Sequence, residues 1–280
     1  MKPVTEINTV HLFPELDRLL IACLRNLRPE DWRVQTSAGS WTVRDVALHL
    51  LDGNIRLVSA MRDHHFAPAP NDLSSYEATV QFLNTLNADW LKAFERVSPA
   101  MICELLEITG AWYCAYLKTI RHNDDAVFPV AWAGESVSKN WFHVAREYTE
   151  KWHHQQQIRS SLGDEETLLQ NAWYLPYLDT SMRALPHVYR NMPAPDGIVL
   201  QFSVSDLTDA NWFLKRNNNK WELFSGTDSK PHAHMRIKKK AAWRIFTKNL
   251  NGERARPYIH MLDGDEFWLN PLLNMVAVMA

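Results

Sequence analysis

Glu150 and His154 form a Glu-x-x-x-His pair, and His49 closes the run Ser40-Trp41-Thr42-Val43-Arg44-Asp45-Val46-Ala47-Leu48-His49. Residues four apart on a helix face the same way. A glutamate and a histidine so placed can grip one metal ion from one helix. A third ligand from another helix would leave a coordination position open for water or substrate, as catalytic metal sites need. Periodicity alone points elsewhere. On a helical wheel Trp141, Val144, Ala145, Tyr148 and Trp152 share one face, and His143, Glu147, Glu150 and His154 share the opposite one. Amphipathicity places such a polar strip in water. His49 sits at the edge of an apolar stripe, where a histidine is usually just half-buried. Gly53, one turn on, leaves room beside it.

The elements that would carry these residues are mostly helical. Apolar spacing predicts a helix over roughly residues 5–27, stopped by Pro29. Thr42 is a fair N-cap for the next helix, with Asp45 as capping-box partner and Val43, Val46, Ala47, Leu50, Leu57 and Val58 as its stripe. Pro68-Ala69-Pro70-Asn71 reads as a linker. Helices over about 72–97 and 99–121 follow, then an extended stretch Ala126–Gly134, then a long helix over about 138–162 ending at Gly163. These helices with loops between them suggest a four-helix bundle. A further helical stretch covers about 165–190.

Beyond it the period changes. Ile198–Val204 reads as a strand, and Trp212–Lys215 and Trp221–Phe224 flank the hairpin signal Asn217-Asn218-Asn219-Lys220. Ala233–Ile237 alternates. Helices over about 239–250 and 266–279 are expected, with Tyr258–Met261 extended between them. The class is therefore α+β. The expected domains are residues 1–190, a helical bundle, and 191–280, a small α+β domain, with the boundary near Asn191–Asp196.

Bulk properties narrow the function. Hydrophobic residues make up 46% of the 280, enough for an ordinary core, and the net charge of −2 gives no electrostatic case for nucleic acid or an anionic membrane. Lys238-Lys239-Lys240 reads as a solvated helix start. Three cysteines, Cys23, Cys103 and Cys114, fit a reducing cytoplasm better than a disulfide framework. No signal peptide and no membrane span are expected. Only nine glycines are present, which disfavours Gly-rich phosphate loops, and no GxGxxG or GxxxxGK(S/T) motif occurs. Twelve tryptophans point to filled cores or pockets.

Trp32 and the run Ser40–Leu50 resemble the first-half signature of the mycothiol-dependent maleylpyruvate isomerase and DinB-like proteins. Glu150-Lys151-Trp152-His153-His154-Gln155-Gln156-Gln157-Ile158-Arg159 with Leu162-Gly163 resembles that family's fourth-helix signature. The tail, Trp243–Phe246, Leu262–Asp265 and Asn270–Ala280, resembles the sterol-carrier-like C-terminal domain found in many such proteins. The resemblance implies a DinB-like four-helix bundle holding a divalent metal on His49, Glu150 and His154. Two nitrogens and a carboxylate suit Zn²⁺, and Ni²⁺ or Fe²⁺ would also fit. His153, offset by one residue, reads as structural. Glu147 and His143 are candidates for proton transfer or support of the ligands. Gln157 and Arg159 read as packing or surface residues. Arg56, Arg159 and Arg244 are open candidates for a substrate carboxylate.

The chemistry implied is activation of a low-molecular-weight thiol, mycothiol or another, which attacks a small electrophilic substrate in isomerisation or S-transfer. Two other readings stand beside it: a metallohydrolase using metal-bound hydroxide, and a non-catalytic protein carrying an apolar ligand. If Glu150 and His154 line a cavity, the aromatic face of their helix needs its own cover.

Overall fold

The computed structural model of the chain describes residues 1–66, 68 and 76–278. Among the described residues the first helices are α1 (Phe13–Arg25), α2 (Val43–Leu57), α3 (Tyr76–Ala93), α4 (Pro99–Leu117) and α5 (Asn140–Ser161). Next come α6 (Asn171–Met182) and the single turn α7 (Leu185–Val188). The strands are β1 (Lys2–Pro3), β2 (Val199–Val204), β3 (Asn211–Asn217), β4 (Lys220–Gly226), β5 (Ala233–Ile237) and β6 (Ile259–Asp263), with α8 (Lys239–Phe246) between the last two. The fold is α+β, a helical N-terminal region followed by a mixed six-stranded sheet. In the helical part α4 packs on α1 and α2, and α3 packs on α2.

The residues group into two compact units. One holds Val10–Ile120 and His154–Glu165; the other holds Met1–Thr9, Arg121–His153 and the chain from Glu166 on. The division falls inside α5.

In the first unit, α2 begins where its cap dictates. Thr42 is extended, its side chain accepts from the Asp45 amide, and the Asp45 carboxylate accepts from the Thr42 amide at 2.9 Å. Both halves of the capping box are therefore made. The helix buries Val43, Val46, Ala47, Leu50 and Leu51 against Leu20 and Leu24 of α1, Ile102 and Leu106 of α4, and Ile158 of α5. Its last turn widens into a π-helical turn at Val58–Arg62. Gly163 closes α5 in the left-handed region, at φ 81°.

In the second unit the strand order is β1-β4-β3-β2-β5-β6, antiparallel throughout except for the β2–β5 pair. Alternation sends Leu200, Phe202, Val204, Trp212, Leu214, Trp221, Met235 and Ile237 into the core. Asn218 and Asn219, at φ 47° and 61°, make the tight turn that the hairpin signal announced. The aromatic face of α5 is covered, as expected. Trp152 stacks on Tyr174 and Tyr177 of α6, with ring centroids 5.0 and 4.2 Å away, and meets Trp243 of α8 edge-on.

Several boundaries differ from the sequence expectation. Residues 5–9 are not helical; Lys2–Pro3 instead pairs with β4. The extended stretch over Ala126–Gly134 is a loop with a 3-10 turn at Ala131–Ala133, tied off by a bridge between Asp125 and Lys139. The stretch 165–190 breaks into α6 and α7, because Pro186 cannot continue the first helix. The helix expected over 266–279 is two 3-10 turns, Glu266–Leu269 and Leu272–Asn274, separated by Pro271. Ala69–Asn71 of the expected linker lie outside the described residues. Among the described residues no helix is long and apolar enough to cross a membrane.

Candidate metal centre

α5 is not half in water. His143 is 2% exposed, His153 5% and Arg159 4%, and Gln155, Gln156 and Gln157 are buried as well. Of the strip itself His143 is buried and Glu147, Glu150 and His154 are half-buried, so it does not stand fully in water. A polar helix can be buried only if its side chains find partners. They do. Arg146 Nη2 donates to Glu147 Oε1 at 2.7 Å and to His143 Nδ1 at 2.7 Å. Gln156 donates to the Glu165 carbonyl, and Arg159 donates to the Leu19 carbonyl and pairs with Asp164.

The same helix presents the metal-ligating types. Glu150, His153 and His154 bring one ligand atom each within 4.8 Å of one another. His154 Nδ1 lies 2.9 Å from Gln157 Oε1. An amide oxygen only accepts, so Nδ1 carries the proton and Nε2 is left as the atom able to ligate. His153 Nδ1 lies 2.9 Å from the Thr149 carbonyl one turn back, and so is likewise the protonated nitrogen. The sequence reading left His153 outside the cluster; the geometry puts it beside Glu150, with 3.9 Å between Nδ1 and Oε2.

His49 comes from α2. Its ring meets that of His154 edge-on, with centroids 4.6 Å apart and planes at 70°, and Trp41 backs it at 4.9 Å. His49 Nδ1 is buried without a hydrogen-bond partner. Burial holds this imidazole well below its ordinary value, His154 and Arg56 push the same way, and a hydrogen bond with Asn87 opposes them. A neutral ring with a buried, unpaired nitrogen is the form that binds a divalent ion. The ligand atoms that lie together are those of Glu150, His153 and His154; two imidazoles and a carboxylate are a donor set that suits such an ion, and His49 is near His154 but not in that group.

Glu150 is pushed up to about 7, first by burial and then by the neighbouring Glu147 carboxylate, with Arg146 opposing. His143 is lowered to about 4 by burial, with Glu147 and Arg146 acting in opposite directions. His143 and Glu147 thus meet each other through Arg146 rather than within the Glu150, His153 and His154 group. Arg146 was not singled out in the sequence and Gln157 was read as packing. Their spacing of three from His143 and His154 was the available signal. Of the three open arginines, Arg56 pairs with Asp52 at 2.7 Å, Arg159 with Asp164, and Arg244 lies over the Trp243 ring at 5.2 Å.

Fold and site together define an α+β protein whose helical part carries a half-buried histidine and glutamate cluster. Residues 13–159 match the family model of the mycothiol maleylpyruvate isomerase N-terminal domain. That is more than half of the chain, and the chain belongs to this family. Two solved structures are similar, the mycothiol-dependent maleylpyruvate isomerase and a histidine-to-alanine mutant of it. They share 11% and 10% identity, with TM-scores of 0.48 and 0.47, and each comparison covers 94% of this chain and 97% of the other. No curated protein matches the chain.

Proposed function

We propose that this protein is a thiol-dependent enzyme of the maleylpyruvate isomerase type, acting on a small electrophilic substrate by isomerisation or S-transfer. His49, Glu150 and His154 would hold its divalent ion, with zinc the best chemical fit. The observation that carries the reading is the meeting of the His49 and His154 rings at 4.6 Å, His154 also lying with Glu150 and His153 within 4.8 Å. When bound, the ion would lower the pKa of an incoming thiol and so supply a thiolate at neutral pH.

The chain's own residues would do the rest. Gln157 would fix the His154 tautomer. Trp41 would hold the His49 ring from behind. Burial makes the Glu150 carboxyl hold its proton to about 7, and a bound ion would displace that proton and restore the charge. Arg146 would hold His143 and Glu147 in place beside that cluster. The family supports a thiol cosubstrate, and the thiol in the name of the similar structures is mycothiol.

The test is metal analysis of the purified protein, followed by maleylpyruvate turnover with mycothiol, bacillithiol, glutathione and no thiol. About one divalent ion per chain and strictly thiol-dependent turnover are expected. A protein that takes up neither zinc nor nickel on titration would sink the metal assignment. Equal turnover with and without thiol would sink the thiol assignment.

A further inference from the structure

α2 carries three further groups beside His49. Gly53 follows it by four residues and Arg56 by seven, so the three share one face of the helix. Asp52 lies one turn before Arg56. Its side chain is 7% exposed, and its Oδ2 stands 2.7 Å from Arg56 Nε. Helical side chains lean toward the N-terminus, so this ion pair draws the guanidinium back along α2 toward His49. Its charge acts on the His49 imidazole. Arg56 is nonetheless 42% exposed, and pairing through Nε leaves the end-on fork of its two terminal nitrogens to take a second carboxylate.

Gly53 is the odd residue of this face. A glycine inside a helix weakens it relative to alanine. Neither backbone nor packing asks for one here: its φ is not positive, and a Cβ built on it meets no atom of the described residues within 4 Å. The helix surface between His49 and Arg56 is therefore bare and open. Resting on the functional reading above for the direction of attack, we propose that this surface seats a small electrophile bearing a carboxylate. Arg56, held by Asp52, takes the carboxylate. The bare backbone at Gly53 lets the carbon chain lie against α2 with its reactive carbon toward His49. His49 and Arg56 stand two turns apart, about 10 Å along the axis, and the backward lean of Arg56 shortens that span, so the seat selects substrates of few carbons.

Calorimetric titration of the full-length protein with maleate, a short dicarboxylate, tests this on metal-free and zinc-loaded samples. Maleate should bind in both, and its neutral diamide should not. Arg56→Gln should weaken maleate about 10-fold or more, and Arg56→Lys by less. Gly53→Leu should block maleate with zinc uptake unchanged. Gly53→Ala should weaken it while Tm stays level or rises. In turnover, Arg56→Gln should raise KM for the electrophile and leave KM for the thiol unchanged. Wild type that binds no maleate overturns the proposal, and so does maleate binding indifferent to Arg56→Gln. A rise in KM for the thiol alone would assign the carboxylate to the thiol and overturn the electrophile's claim to Arg56. Indifference to Gly53→Leu overturns the placement on α2, with Gly53→Ala deciding by the same criterion should the leucine variant not fold. A protein that takes up no zinc yet binds maleate through Arg56 would keep the seat and lose only the metal.

Discussion

The predictions at the scale of single residues separate ligands from their neighbours. His49→Ala and His154→Ala should each lose most of the bound metal, read by elemental analysis after dialysis. On the assignment to His49, Glu150 and His154, His153→Ala should keep the metal and lose stability instead, because its buried ring bonds the Thr149 carbonyl. Retention by His49→Ala together with loss by His153→Ala would move the site wholly onto α5. Gln157→Leu leaves the ligands in place but frees the His154 tautomer. A drop of roughly 10–100-fold in metal affinity by calorimetric titration is expected, as for other groups that orient a ligating histidine. His143 makes a prediction about acid. Its folded value is about 4 against 6.5 ordinarily, so between those limits the unfolded chain takes up a proton that the folded chain refuses. The stability that this group protects is fully present above about 6.5 and is lost as the pH falls toward 4, at most about 3 kcal/mol. His143→Gln should flatten that part of the acid limb in a series of denaturant titrations. An unchanged difference between wild type and variant from pH 7 to about 4 would remove His143 from the account.

At the scale of elements, local codes act where they are strong. The Thr42 and Asp45 box starts α2 and sets the phase that carries His49 to its place. Thr42→Ala should cost about 1 kcal/mol, read by urea denaturation. Trp152 is wholly buried between α6 and α8, and Trp152→Ala should cost roughly 3–5 kcal/mol, with Trp152→Phe costing clearly less. The capping box, Gly163 as the end of α5 and the Asn218-Asn219 turn were all legible in the sequence, because each is a contact between near neighbours. Misreadings arose where distant chain decides. The wheel of α5 showed one polar face and one apolar face, and nothing in it could say that both would be covered. On the polar face His154 meets the ring of His49 from α2, a contact made only once the chain has folded. Likewise Lys2–Pro3 becomes a strand only because β4 offers an edge more than 200 residues later. Glu150 and His154 were found by spacing; His49 was joined to them by resemblance, and Gln157 and Arg146 emerged only from geometry.

For the whole molecule, the consequential fact is that the division between its two compact units passes through α5. Of this helix, residues 140–153 belong to one unit and 154–161 to the other, fourteen residues and eight. Helices shorter than about 12–15 residues do not persist in water without support. Were one unit to unfold alone, the other would keep a frayed half-helix. That cost opposes partial unfolding. Calorimetry should therefore show one transition rather than two, although a chain of this size commonly shows more. Trp152→Ala, on the aromatic face, and Leu106→Ala, in the α1, α2 and α4 core, should lower the same transition rather than separate ones. Metal should raise it as a unit. At an excess of about 100 times Kd the gain is about 2.7 kcal/mol, or roughly 5 °C for a chain this long, and His49→Ala should forfeit it. Two resolved peaks, with metal shifting only one of them, would show that α5 does not couple the units and would confine the ion's effect to one of them.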